Sequence, residues 1–274
     1  MLSKWKTITK DDVKYIKNKN KELQTVEYFN SIIYQIYSRM IYKVIDNSLV
    51  ICKPISIMGK YNIIQYCNLN IPDDINQKLL NNGITLRGHH IKGTKDKFGE
   101  EYVYDTRDYV EMIGSKFSTF RKAVSKYKKS INIKSGFHKD IDKILKLYPN
   151  HQTKLYKLIV EYPELVNVTR VYIDDDILGF SIVENINKQN GIIIQELFNK
   201  DMGVRYASYI IHYCNCINNE SKFLNAGGSR NKNIKFAKNK LRPCKLLRIG
   251  RETSKIKLER DDWFFLKNNK IDSF

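Results

Sequence analysis

The sequence predicts an α+β fold with a mixed sheet, arranged as two successive domains. Two observations carry this. Short Val/Ile/Tyr-rich runs bounded by turn residues alternate with longer amphipathic stretches along the 274 residues. The second half then runs helix, helix, three strands, helix, strand, helix, strand. With 18 Tyr and 12 Phe the chain can bury a real core, which excludes global disorder.

The elements follow in order. Trp5 to Asn20 reads as an amphipathic helix, with Thr9 as a cap ahead of Asp11 and Asp12. Phe29, Ile32, Ile33, Ile36 and Tyr37 form an apolar helical stripe within Tyr28 to Met40. Strands are expected over 42–46, 48–53 and 61–66, with Asp46-Asn47 turning between the first two. Pro72 opens a helix that runs to Leu80 and stops at Asn82-Gly83. Ile84 to Ile91 and Tyr102 to Tyr104 read as further strands. A basic helix follows over 116–129, its stripe Phe117, Phe120, Val124 and Tyr127. Ile131 to Gly136 reads as an extended link, which sets the expected domains at 1–134 and 135–274.

In the second domain, helices are expected over 140–147 and 151–162, the two separated by Pro149. Val166 to Ile173 and Ile177 to Glu184 form a hairpin about Asp174-Asp175-Asp176. Ile192 to Phe198 is nearly all apolar, so it reads as a strand buried on both faces. Gly203 to Cys216 reads as a helix with Tyr206, Ile210, Tyr213 and Ile217 on one face. A strand at 223–226, a helix at 231–240 and a strand at 245–249 complete the order.

The net charge is +19, and it is concentrated. Residues 114–146 hold ten basic side chains against two acidic, and residues 221–274 hold fifteen against five. A composition rich in Lys, Asn, Ile and Tyr raises the basic total everywhere, but it does not place it in two runs. These runs predict a polyanionic partner, tRNA or DNA. Arg121, Lys122 and Lys126 in the first run, and Lys235, Lys238 and Arg242 in the second, are the candidate phosphate contacts, with a solvated helix face as the plain alternative.

Five cysteines without framework spacing point to reduced thiols and a cytoplasmic location. No signal peptide is expected, and no apolar run approaches the roughly 20 residues of a membrane span. His89 and His90 are adjacent, but no third ligand stands at suitable spacing, so no metal is expected. Glu196, on the buried strand, reads either as a general base or amino-group binder, or as a carboxylate pointing outward at a strand end. Asn225, Gly227, Gly228, Ser229 and Arg230 lie between a strand and a helix. They read either as a ligand loop at a helix start or as a tight turn.

Three further groups of residues run in the same direction. Val26-Glu27-Tyr28-Phe29 precedes a helix and strands. Glu101-Tyr102-Val103-Tyr104 precedes Gly114-Ser115-Lys116-Phe117 and Phe120-Arg121-Lys122. Leu224-Asn225 precedes Ile234-Lys235-Phe236-Ala237-Lys238 and Leu241-Arg242-Pro243. Spread over most of the chain, these segments resemble the GNAT acyltransferase superfamily, and within it the family containing the C-terminal domain of phosphatidylglycerol lysyltransferases.

The resemblance implies two tandem GNAT-like domains, the second binding the donor, with donor and acceptor sites near the groove between them. It implies transfer of an acyl or aminoacyl group, from acyl-CoA or aminoacyl-tRNA and without a metal, to an amine or hydroxyl. Glu196 and Asn225 would carry the chemistry. Leu197 and Phe198 would meet the donor through their backbone. Gly203, Val204 and Arg205 would offer the start of the central helix to a pyrophosphate, with Gly227, Gly228 and Ser229 completing the donor site. The superfamily's loop pattern is [Gln/Arg]-x-x-Gly-x-[Gly/Ala]. Here Lys200-Asp201-Met202-Gly203-Val204-Arg205 keeps the first glycine and places arginine at the second position. The lysyltransferases also carry a membrane-spanning portion with no counterpart in these residues. Two alternatives complete the expectation: a phage-type enzyme that modifies DNA bases, and a catalytically inactive GNAT-fold protein that binds nucleic acid.

Overall fold

The computed structural model describes residues 5–57, 60–65, 71–229 and 231–258. The chain divides into two compact units, residues 1–101 with 247–274, and residues 102–246.

In the first unit, β1 (Lys6–Thr7) leads through a 3-10 turn at Lys10–Asp12 into α1 (Val13–Asn20). The Asp12 carboxylate accepts both the Thr9 N–H and the Thr9 hydroxyl at 2.9 Å, which fixes the start of the turn. The helix is therefore shorter than the stretch from Trp5. A second 3-10 turn at Tyr28–Asn30 precedes α2 (Ile32–Tyr37), capped by Ser31. β2 (Ile41–Ile45) pairs with β1 and, through Asp46 and Asn47, with β3 (Ser48–Ile57). Those two turn residues adopt φ of +46° and +63°, the twist a two-residue hairpin requires. β4 (Lys60–Gln65) is antiparallel to β3; α3 (Asp73–Leu80) then crosses over to β5 (Ile84–Gly88), parallel to β4. Trp5, Ile41, Val50, Ile63, Ile75 and Leu86 are among the residues that close this core.

β6 (Thr94–Asp105) is much longer than the expected strand over 102–104, because its charged first half carries no apolar alternation. α4 (Thr106–Glu111), capped by Asp105, has no counterpart in the expected order. Phe117, in a 3-10 turn, and Phe120, Ala123 and Val124 on α5 (Ser118–Tyr127) are buried, as the stripe requires.

The expected division near residue 134 falls inside a strand. β7 (Ile131–Ser135) is not a link: it pairs along its length with β8 (Val166–Ile173). The chain divides instead at residues 101/102 and 246/247, because its last strand returns to the first unit. α6 (Asp140–Leu145) and α7 (Asn150–Val160) flank Pro149, as expected. β9 (Asp176–Asn185) is antiparallel to β8 and to β10 (Asn190–Phe198).

α8 (Ala207–Ile217) and α7 lie on opposite faces of these strands. Gly179 of β9 faces Ile211 of α8, and the next residue, Phe180, packs its ring on Tyr156 of α7. A Cβ at Gly179 would stand 2.1 Å from Ile211 Cδ1 and 2.5 Å from Leu197 O, so glycine is what lets the helix seat. The buried face of α8 includes Ala207, Ile210, Ile211 and Cys214. Tyr206 and Ile217, expected on it, are more than one-third exposed. β11 (Phe223–Asn225) lies between β10 and β6, parallel to the first and antiparallel to the second. α9 (Lys232–Lys240) follows, and β12 (Lys245–Glu252) ends antiparallel to β5.

Candidate active site

The second unit opens between two parallel strands. β10 and β11 pair only at Asn190↔Phe223, Gly191↔Leu224 and Ile192↔Asn225. β11 ends there, while β10 continues to Phe198 against β9, with a bulge between Ile193 and Gln195. Asn199 N–H donates to Leu178 O at 2.7 Å, and bonding faces alternate along an antiparallel ladder. The peptide groups of Phe198 and Glu196 therefore face away from β9, toward the side where β11 has ended. Those of Leu197 face β9. At Phe198 the Tyr148 hydroxyl occupies both groups, donating to the carbonyl at 2.9 Å and accepting from the N–H at 3.3 Å. Burial raises the Tyr148 pKa, so the phenol keeps the proton it donates.

The Glu196 side chain lies on the α8 face of the same strand. Its carboxylate meets His212 Nδ1 at 3.0 and 3.1 Å and accepts from Asn215 Nδ2 at 2.9 Å. A carboxylate only accepts, so the imidazole carries its proton at Nδ1. His212 is fully buried, enclosed by the rings of Tyr104 at 4.5 Å, Tyr109 at 4.9 Å and Phe120 at 6.4 Å, and its Nε2 has no hydrogen-bond partner. Glu196 itself keeps 19% side-chain exposure. The pair thus joins a partly accessible carboxylate to an inner, fixed donor. Burial, with the nearby Glu196 charge adding to it, holds the Tyr104 phenol well above its usual range; burial does the same for Tyr109. Sequence reasoning missed His212 and Asn215. They sit on a helix read from its apolar residues, and nothing at that level links them to a strand.

The loop into α8 begins with Gly203 at φ +60°, where an added Cβ would meet nothing within 4 Å. Val204 is half-buried and Arg205 is exposed, its guanidinium 4.8 Å from the Tyr206 ring. Asn225 is buried at the end of β11, where its side-chain oxygen accepts the Gly227 N–H at 2.7 Å. The Gly227 and Gly228 carbonyls accept from Lys238 Nζ at 2.9 and 3.3 Å, as does that of Ala226. Ser229 Oγ accepts the Asn231 N–H at 3.1 Å, and Asn231 caps α9. Arg230 lies outside the described residues. Of the basic candidates, Lys122, Lys126 and Arg242 are exposed and Lys235 half-buried. Arg121, though exposed, donates to the carbonyls of Met112 and Gly114.

The first unit holds a buried ionic cluster. The Arg87 guanidinium meets Glu27 at 3.4 Å and Asp96 and Glu101 at 3.5 Å, all nearly free of solvent, and stands 4.4 Å from the Phe29 ring centroid. Glu27 Oε1 also accepts the His89 N–H at 2.6 Å and faces His89 Nδ1 at 2.9 Å. Burial lowers the His90 pKa against the opposing pull of Glu27. The third side chain absent from the local spacing of His89 and His90 is thus Glu27, 62 residues before His89.

No protein-family model matches the chain, and no curated protein does. Solved structures do. A conserved protein of unknown function from Bacteroides thetaiotaomicron superposes with a TM-score of 0.72 at 15% identity, covering 92% of this chain and 99% of its own. The C-terminal domain of a putative lysylphosphatidylglycerol synthetase from Agrobacterium fabrum has a TM-score of 0.60 at 12% identity, covering 95% and 96%. The structure of L-PGS from Bacillus licheniformis has a TM-score of 0.60 at 10% identity, covering 93% and 96%. The chain shares its fold with those synthetase domains, the likeness that the sequence resemblance implied. Among the described residues no helix is long and apolar enough to cross a membrane.

Proposed function

We propose that the chain is an acyltransferase whose donor carbonyl lodges where β10 and β11 part, in the second unit. The observation that carries this is the three-residue parallel pairing, which leaves the Glu196 and Phe198 peptide groups on an open strand edge. Such an edge offers fixed N–H and C=O groups to an activated ester or thioester. Phe198 is reached by displacing the Tyr148 hydroxyl. Glu196, held by His212 and Asn215, takes the proton of the attacking amine or hydroxyl. Asn225 holds the turn at the mouth of β11 through Gly227.

The donor is an aminoacyl-tRNA. Arg205 replaces the second small residue of the pyrophosphate loop, which disfavours the close backbone approach that coenzyme A makes. A tRNA also gives the exposed Lys122, Lys126 and Arg242 a polyanion to meet. The name of one structural relative speaks of a putative lysylphosphatidylglycerol synthetase, which supports an aminoacyl donor.

The test supplies purified protein with tRNA charged with labelled amino acids, or with labelled acyl-CoA, and with amine, hydroxyl and phosphatidylglycerol-vesicle acceptors. Label is expected to leave the tRNA for an acceptor. Transfer from acyl-CoA alone removes the tRNA donor and keeps the transferase. Transfer from neither donor removes the transferase.

A further inference from the structure

We propose that Glu27, His89 and His90 form a binding site for one divalent transition-metal ion, of the zinc or cobalt kind, in the first unit. One ligand atom from each of the three lies within 4.8 Å of the others. Two imidazoles and a carboxylate are a donor set suited to these ions.

Three independent features support the site. The first is distance. Ligands about 2.0–2.2 Å from one such ion stand about 3.3–3.6 Å from each other in a tetrahedral arrangement and about 2.8–3.1 Å at right angles. Glu27 Oε1 and His89 Nδ1, at 2.9 Å, already stand close to that spacing. The ion would stand where the Nδ1 proton now lies, and the neutral imidazole would carry that proton at Nε2 instead.

The second is backbone clearance. A Cβ at Gly88 would lie 2.8 Å from His90 Cε1, 3.0 Å from His90 Nδ1 and 3.2 Å from Glu27 Oε1. Glycine at this point lets the His90 ring fold back over the end of β5 toward Glu27. His90 Nε2 is buried with no hydrogen-bond partner.

The third is support around the ligands. Glu27 is fixed on both oxygens, by the His89 N–H on one and by Arg87 on the other. Asp96 and Glu101 share the same guanidinium. His89 keeps 27% side-chain exposure, which gives the ion a way in and leaves a coordination place for water.

The experiment strips the full chain with chelator, then titrates it with Zn²⁺ or Co²⁺ and reads metal content, the visible cobalt spectrum and Tm. Wild type is expected to take up about one equivalent, with a nitrogen/oxygen cobalt spectrum free of thiolate bands and a raised Tm. His89→Ala and His90→Ala should each weaken binding by at least about tenfold while keeping the circular dichroism of wild type. These part-exposed residues decide the outcome, because Glu27→Gln disturbs a buried ion network and can unfold the unit on its own. Uptake below about a tenth of an equivalent at micromolar free metal, thiolate bands from the cysteines, or wild-type affinity in both histidine variants would each overturn the site.

Discussion

His212 Nδ1 lies 3.0 Å from Glu196 Oε1, and the histidine is sealed in while the carboxylate reaches solvent. The carboxylate proposed as the base is therefore held by a donor that solvent cannot replace. Glu196→Gln keeps the shape and both donors but cannot take a proton. Transfer should fall by about 10²–10⁴-fold, with the melting temperature nearly unchanged. His212→Gln removes the positioning donor. It should lower kcat and leave the KM for donor within about twofold, and it should move the acid limb of the pH–rate profile. Equal losses in kcat and stability, with an unmoved pH profile, would make His212 structural only.

Lys238 and its neighbours separate folding from polyanion binding. Its ammonium serves the carbonyls of Ala226, Gly227 and Gly228, so Lys238→Met should cost about 1.5–3 kcal/mol in a denaturant titration. The slope of log affinity for tRNA against log salt should hardly change. Lys122→Ala and Lys126→Ala, at exposed positions, should each flatten that slope by about 0.7–0.9 and leave stability alone. A Lys238 variant that behaves like these two would show that its ammonium leaves the loop to meet phosphate.

Much of the fold was legible because its signals are local. Asp46-Asn47 and the acidic turn at 174–176 mark hairpins, Pro149 divides two helices, and the element order after residue 140 is the observed order. The misses are long-range. β7 looks like a link because only Ile131 and Ile133 are apolar in it, and its pairing with β8 is not written in its own residues. The unit boundary fails for the same reason, since β12 returns to β5 over 160 residues of chain. At the candidate sites, Glu196 was visible as an acid in an apolar strand. Its partners on α8, and Glu27 beside His89, are set only by the tertiary fold.

Gly179 tests how tightly α8 must seat on the strand that carries Glu196. A methyl there meets the Leu197 carbonyl, which cannot rotate aside, as well as the end of Ile211. Gly179→Ala should therefore destabilise by about 1–3 kcal/mol and reduce transfer, because the shift falls between β9 and the helix bearing His212. Ile211→Val in the same chain gives the added methyl some room and should recover part of the loss. No recovery would place the strain on the Leu197 carbonyl alone.

Asp140 gives the second unit a pH dependence whose sign is fixed. Desolvation raises its pKa, but the Tyr172 hydroxyl at 3.0 Å, His138 at 3.0 Å and Lys143 at 3.8 Å outweigh that and leave it below the usual carboxylate range. The folded state then binds fewer protons than the unfolded state between the two pKa values, so stability rises with pH there. The contribution is fully present above about pH 5, past the ordinary Asp value near 3.9, and is lost as pH falls through the lowered folded value. Asp140→Asn should accordingly lower Tm at pH 7, and the gap to wild type should close toward pH 2. A gap that stays constant across that range would mean that Asp140 acts through packing and neutral hydrogen bonds rather than through its charge.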